Sequence, residues 1–311
     1  MYFDYKLTLR DNMPWHISRP QVMGILNCTP DSFYAGSRKQ TDYDIASRAE
    51  EIIADGGTVI DVGGMSTRPG GDFVTEEEEL RRLRHALSIV RKEQPEAILS
   101  VDTFRPTVAR MAIEEFGADI INDVSEGGVT SLEGVRYDEG GDIFHEVARL
   151  KAAYVLMSVQ PTASQTIDVL REKVKALREI GVENIIVDPG YGFGKDIREN
   201  YRLMGRQGEI CRMLPECPLL AGVSRKRMIW QMLGITADNA LNGTTAVNTM
   251  ALMNGAAILR VHDVKEAVEA VRIYEEYSSS MEGDYKPLPN QAQEGMGKRA
   301  VSSPGETLSG I

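Results

Sequence analysis

Hydrophobic positions along the chain follow two alternating periods. Short β-branched or aliphatic runs occur at 22–27 (VMGILN), 58–62 (TVIDV), 98–102 (ILSVD), 119–124 (DIINDV), 154–158 (YVLMS), 185–188 (IIVD), 218–223 (PLLAGV) and 258–262 (ILRVH). Near-continuous apolar runs of this length are what strands buried on both faces require. Between them lie stretches of helical period, such as TDYDIASRAEEIIADGG, TEEEELRRLRHALSIVRKE and PTVARMAIEEFGAD, several of them closed by Gly, which suits a helix C-terminus. Strands alternating with helices imply parallel pairing and right-handed crossovers. Eight such units within about 250 residues match a (β/α)8 TIM barrel better than an open doubly wound sheet. The pattern predicts a β-hairpin over 1–20, where YFDYKLTLR alternates and DNMPW turns, then a single barrel domain over 21–277. Residues 278–311 are Ser/Gly/Pro-rich without apolar period and are expected to be a disordered tail. The Gly- and acid-rich stretch 125–142 is longer than an ordinary βα loop.

Composition narrows the function. The 311 residues are 42% hydrophobic and carry a net charge of −11, which argues against nucleic-acid binding, since phosphate backbones need a basic surface. A small anionic ligand, held by a few local groups, stays possible. Cys28, Cys211 and Cys217 fit no metal-ligand spacing and read as reduced thiols. No apolar run approaches membrane-spanning length and the first residues lack a signal-peptide layout. The expectation is a cytoplasmic protein with no membrane partner.

In a barrel of this kind the chemistry sits at the C-terminal ends of the strands. Those ends carry Asn27, Asp61, Asp102, Asn122 with Asp123, Ser158, Asp188, Ser224-Arg225-Lys226, and Arg260 with His262. Single strand-end Asp or Asn residues are usually turn formers or caps; a full ring of polar ends points to a site. The loop STRPGG (66–71) offers an Arg fork and flexible backbone for an anion. DPGYGFGK (188–195) lacks the P-loop pattern and instead lets backbone and Phe193 approach a flat ligand. Lys226 stands at a helix start, against the dipole, which favours a ligand role. Within 258–263, alternation sends Arg260 and His262 to one face, and crowding two cations demands an anion. A ligand answers that demand; so does an ion pair of Arg260 with Asp263, with His262 a cap or core residue.

The ordered series GILNCTPDSF (24–33), DVGGMSTRPG (61–70), SVDT (100–103), INDV (121–124), DPGYGFGK, GVSRK and RVHDV resembles the pterin-binding TIM-barrel family, specifically its dihydropteroate synthases. It spans about residues 20–275. The resemblance implies condensation of 6-hydroxymethyl-7,8-dihydropterin diphosphate with p-aminobenzoate, Mg²⁺-assisted, releasing pyrophosphate. It implies pterin contacts from Asp102, Asn122, Met157, Asp188 and Lys226. Diphosphate contacts fall to Asn27, Arg68, Arg260 and His262, with Asn27 also on Mg²⁺. Thr67, Pro69, Phe193 and Ser224 would line the p-aminobenzoate slot, completed by mobile loops at 28–38 and 65–72. It further implies a homodimer, with 238–256 apolar enough to supply an interface. Three positions depart from the family pattern: Ser158 stands where His is frequent, with no basic residue following, Met65 where Glu is common, and Arg227 where a small hydroxyl residue is frequent. Two further readings share the fold: a corrinoid-linked pterin methyltransferase domain, which has no need of Arg68, Arg260 and His262 around an anion, and an inactive pterin-binding paralogue.

Overall fold

The computed structural model describes residues 3–28, 38–65, 74–128 and 143–281, with the backbone alone at 38–41. Strands β1 (Tyr5–Thr8) and β2 (Pro14–Ile17) form the expected antiparallel hairpin. The alternating part follows: β3 (Gln21–Asn27), α1 (Arg38–Ala54), β4 (Val59–Gly63), α2 (Glu76–Glu93), β5 (Ile98–Asp102), α3 (Pro106–Phe116), β6 (Ile120–Asp123) and α4 (Ile143–Leu150). It continues through β7 (Ala153–Met157), α5 (Ala163–Glu179), β8 (Ile185–Asp188), α6 (Ile197–Met213), β9 (Leu220–Ala221), α7 (Arg227–Leu233), α8 (Leu241–Met253), β10 (Ile258–Val261) and α9 (Val264–Met281). Residues 278–281, read from sequence as the start of the tail, therefore belong to α9. The rest of that tail, residues 282–311, lies outside the described residues, as do 129–142 of the long loop after β6.

Strands β3 to β10 form one parallel sheet in the order β8-β7-β6-β5-β4-β3-β10-β9. A bridge from Val187 to Leu219 joins β8 to the segment entering β9, so the sheet nearly closes into a barrel. Every residue of β4 and of β7 is buried, because one face meets the helices and the other fills the barrel. The helices have local reasons for their limits. Thr75 accepts from the Glu78 N–H at the start of α2, four glutamates fill its first turn, and Arg91 and Lys92 close its last, as the helix dipole favours. Helix α3 begins with Pro106 and ends at Gly117 in the left-handed conformation. The hairpin docks under the barrel: the Thr8 N–H donates to Asn184 Oδ1 (2.8 Å), and Arg10 Nε lies 3.3 Å from Asp119 just before β6. Among the described residues no helix is long and apolar enough to cross a membrane.

Candidate active site

Strand alternation sorts the polar residues at the mouth into two sets. Asp61, on β4, is fully buried and faces the barrel interior. Its Oδ1 accepts from Ser100 Oγ (2.6 Å), and its Oδ2 accepts from Asn122 Nδ2 (3.2 Å) and Arg260 Nε (2.6 Å). Arg260 donates through Nη2 to Asp102 Oδ2 (2.7 Å). Asp123, one residue after Asn122, points the opposite way, as period two requires. It accepts from the N–H groups of Ser125 (2.6 Å) and Gly127 (3.1 Å) and from the Tyr154 hydroxyl. Asn122 thus turns to Asp61 in the barrel interior, whereas Asp123 ties down the loop behind it.

This geometry corrects the reading that pairs Arg260 with Asp263. The anions that meet Arg260 are Asp61 and Asp102, inside the fold. Asp263 pairs with Arg225 (2.8 Å), which also donates to the carbonyls of Ala237 and Asp238. Strand β10 ends at Val261, so His262 lies beyond the alternation. The His262 N–H donates to Ser224 Oγ (3.2 Å), and its carbonyl accepts from Arg48 Nη2 (2.5 Å).

A second cluster adjoins the first. Asp188 is buried, and its Oδ1 accepts from the Gly190 N–H (2.7 Å). A Cβ placed on Gly222 would lie 3.8 Å from both Asp188 Oδ2 and Lys226 Nζ and 3.9 Å from Arg260 Cβ. Glycine leaves that space open between the three charged groups. Lys226 precedes α7 and donates to the Tyr191 carbonyl, with its ammonium 4.4 Å from the centre of the Phe193 ring. Met157, at the end of β7, pairs in register with Asp188. Asn27 and Asp102 flank Gly63, where an added Cβ would lie 3.4 Å from Asn27 Oδ1 and 3.6 Å from Asp102 Cβ.

The glycines of 188–195 serve packing as well as approach. At Gly190 (φ +70°) an added Cβ would fall 1.7 Å from the Ser158 carbonyl oxygen, and at Gly194 (φ +64°) 2.2 Å from that of Val159. Lys195 Nζ closes the loop by donating to the carbonyls of Gly190 (3.1 Å), Phe193 (3.2 Å) and Ser158 (3.4 Å). Ser158, the departure on β7, is buried and turns its hydroxyl to the Gln160 N–H (3.3 Å).

Burial dominates the electrostatics. It pushes Asp102 up to about 7 against the pull of Arg260, with Asp61 pushing the same way as burial. Burial also raises Asp188, opposed by Lys226 and the Gly190 N–H. Lys226 is brought down to about 7 by burial despite Asp188, and Lys195 to about 8. For Arg260 burial works downward, but Asp61 and Asp102 outweigh it and hold the guanidinium above its ordinary value. Among the described residues the buried Asn122 Oδ1 has no hydrogen-bond partner, an acceptor that a bound ligand can satisfy. Among the described residues no three His, Cys, Asp or Glu groups are placed to hold a metal. Asn27 alone fits only an ion that arrives with its own phosphate and water ligands, the habit of Mg²⁺.

Of the residues singled out from sequence, the structure gathers Asp102, Asn122, Met157, Asp188, Lys226 and Arg260 at the barrel mouth. Asn27, Phe193, Ser224 and His262 stand around them. Thr67, Arg68 and Pro69, with Met65's following loop, lie outside the described residues. Asp61 was in the ring of polar strand ends but was given no role. The signal was its place as an acid inside a run buried on both faces. Lys195 and Glu126 were also given none.

The model of the family described as pterin binding enzyme matches residues 23–262. The chain belongs to this family of barrel enzymes. Its similarity within the family runs to dihydropteroate synthases, which are transferases. It is 38% identical over 292 residues to the dihydropteroate synthase of Escherichia coli K12, covering 86% of this chain and 94% of that one. The Xanthomonas albilineans dihydropteroate synthase, solved with 4-aminobenzoic acid, superposes with a TM-score of 0.78 at 32% identity, covering 89% of this chain and 99% of the other. A dihydropteroate synthase from Coxiella burnetii, solved with pteroic acid, gives 0.75 at 32% identity over the same shares.

Proposed function

We propose that this chain joins 6-hydroxymethyl-7,8-dihydropterin diphosphate to p-aminobenzoate, giving 7,8-dihydropteroate and pyrophosphate. The observation that carries the reading is that buried Asp188, Lys226 and Asn122, whose Oδ1 is unsatisfied among the described residues, stand at one mouth. A pterin presents a guanidine-like donor edge, which a carboxylate accepts in two parallel bonds. Asp188 suits that edge, Asn122 and Asp102 the remaining polar edges, and Met157 the ring face. Lys226 donates to the ring acceptors.

In the reaction the methylene C–O bond breaks with its electron pair going to pyrophosphate. The neutral arylamine lone pair forms the new C–N bond and then sheds a proton to water. An aromatic amine attacks without prior deprotonation, so the residues bind, orient and stabilise charge rather than act as a strong base. Arg260 keeps its Nη1 free of hydrogen bonds among the described residues. It meets the diphosphate together with His262, Asn27 and Arg68. Mg²⁺, held through Asn27, would supply charge neutralisation to the leaving group. Thr67, Pro69, Phe193 and Ser224 are assigned to the p-aminobenzoate side. The Ser158 hydroxyl accepts from the Gln160 N–H, so this departure from the family pattern removes none of the assigned contacts.

Purified protein, both substrates and Mg²⁺ are expected to release pyrophosphate; silence at high enzyme concentration would refute the reading. We also assign the chain to the cytoplasm, on its free cysteines, testable by fractionation. The exposed Met232 and Leu233 on α7 and Met250 and Met253 on α8 support a homodimer through these helices, which sedimentation at micromolar concentration decides.

A further inference from the structure

Glu126 lies just past β6, in the segment that leads into the long loop. It has left-handed backbone (φ +61°), a conformation that costs any side-chain-bearing residue and persists only where its surroundings enforce it. Its residue is nonetheless almost wholly buried, at 1% exposure. The carboxylate is fully engaged. Oε2 accepts from the Val159 N–H (2.8 Å), Oε1 accepts from Gln160 Nε2 (2.8 Å), and Lys173 Nζ of α5 lies 3.4 Å from Oε1. Lys173 also donates to the Glu126 carbonyl.

The segment this carboxylate grips is the back wall of the site. The Ser158 N–H donates to the Asp188 carbonyl (3.0 Å), and the Ser158 carbonyl accepts from Lys195. The carbonyl oxygens of Ser158 and Val159 are the atoms against which Gly190 and Gly194 pack with no room for a side chain. Glu126 therefore holds Val159 and Gln160, next in chain to Ser158, whose N–H binds the Asp188 carbonyl, and the Val159 carbonyl itself meets Gly194. This is also where the sequence departs from the family pattern, with Ser158 and no basic residue after it.

We propose that Glu126 is a positioning residue for the pterin half of the site: its buried carboxylate, held in strained backbone, sets the 158–160 segment on which the Asp188–Lys195 loop is seated. The proposal rests on reading the mouth as a pterin pocket. It concerns affinity for the pterin first, through Asp188; the p-aminobenzoate side is reached only through Phe193, which lies on the same loop.

Glu126→Gly separates positioning from simple support, because glycine adopts positive φ freely and so relieves the strain while removing the carboxylate. The expected result is an unchanged or higher melting temperature with KM for the pterin diphosphate raised about tenfold, the scale of a lost charged hydrogen-bond set. KM for p-aminobenzoate rises less than that for the pterin, because Phe193 alone of its assigned residues among those described sits on the loop, and the Val159 amide loses hydrogen-exchange protection. Glu126→Gln retains one acceptor for the Val159 N–H and is expected to recover most of the pterin affinity. Unchanged pterin KM, an equal rise in both KM values, or unaltered Val159 exchange in Glu126→Gly overturns the proposal. Failure of the parent reading appears separately, as wild-type protein that releases no pyrophosphate, and the exchange measurement still decides the clamp.

Discussion

The barrel carries a buried Arg–Asp cluster at each end, and the two are built differently. At the bottom, Asp119 lies between Arg10 and Arg91 and accepts from the Leu99 N–H (2.9 Å). Arg91 spends its guanidinium on main-chain carbonyls, donating to Pro95 (2.9 Å), Ala97 (3.0 Å), Phe116 (3.1 Å) and Gly117 (2.9 Å). That cluster staples loops and the hairpin to the barrel floor. At the mouth, Arg260 meets, among the described residues, the carboxylates of Asp61 and Asp102. Beside it stand the unsatisfied Asn122 Oδ1 and the shifted Asp102 and Lys226. Asp119 Oδ1, like Asn122 Oδ1, makes no hydrogen bond among the described residues, so the difference lies in the arginines: Arg91 is spent on the backbone and Arg260 on carboxylates at the mouth, the division between stability and activity expected of this fold.

The sharpest way to break this comparison is to remove each arginine. Arg260→Ala leaves two buried carboxylates facing each other and is expected to cost about 3–5 kcal/mol of stability, the scale for breaking a buried pair. Turnover of the folded fraction should also fall by at least about tenfold. Arg91→Ala should cost about 2–4 kcal/mol through its abandoned carbonyls while leaving kcat and both KM values unchanged. Urea titration beside steady-state kinetics measures both, and a kinetic defect in the Arg91 variant would collapse the distinction.

Asp188→Asn should weaken pterin binding by about 10–100-fold, as expected when a charged bidentate acceptor is lost. Its stability should hold or rise, because burial already disfavours the carboxylate. Calorimetric titration and urea midpoints test the two halves. A loss of stability would place Asp188 with the bottom cluster instead.

The Asp102 carboxyl adds a pH dependence. Its folded value of about 7 lies above the ordinary 3.8, so the folded state holds a proton that the unfolded state has released between those values. The group's stabilising contribution is complete below about pH 3.8 and lost as pH rises through about 7. The wild-type urea midpoint should therefore decline more between pH 5 and 7 than that of Asp102→Asn; parallel curves would reject the shift. The smallest effect is expected at Arg227, which is exposed and turns to Gln231 Oε1 (2.6 Å) along its own helix. Arg227→Ala should change stability by less than about 0.5 kcal/mol and KM for p-aminobenzoate little. A selective rise in that KM would instead place Arg227 at the p-aminobenzoate slot.

Much of this was legible in the residues. The strand runs fell on the observed strands, because a barrel strand buried on both faces cannot hide its apolar run. The ring of polar strand ends pointed to the mouth because fold polarity puts every such end on one side. The partnership of Arg260 was not legible. Asp61 and Asp102 lie 199 and 158 residues away along the chain, and Asp263, its sequence neighbour, was taken by Arg225. Strand alternation failed at His262 because β10 stops at Val261.

By itself the sequence determined the alternating βα architecture, the hairpin, the family and the set of side chains available at the mouth. Periodicity and motif order are properties of the chain read in line. Only the tertiary structure decided which charges neutralise one another, which glycines are required by close backbone approach, and that Glu126 grips the back wall. Closing the barrel sets residues from different strands within hydrogen-bonding distance, and at such distances burial outweighs sequence proximity in fixing charge and partner.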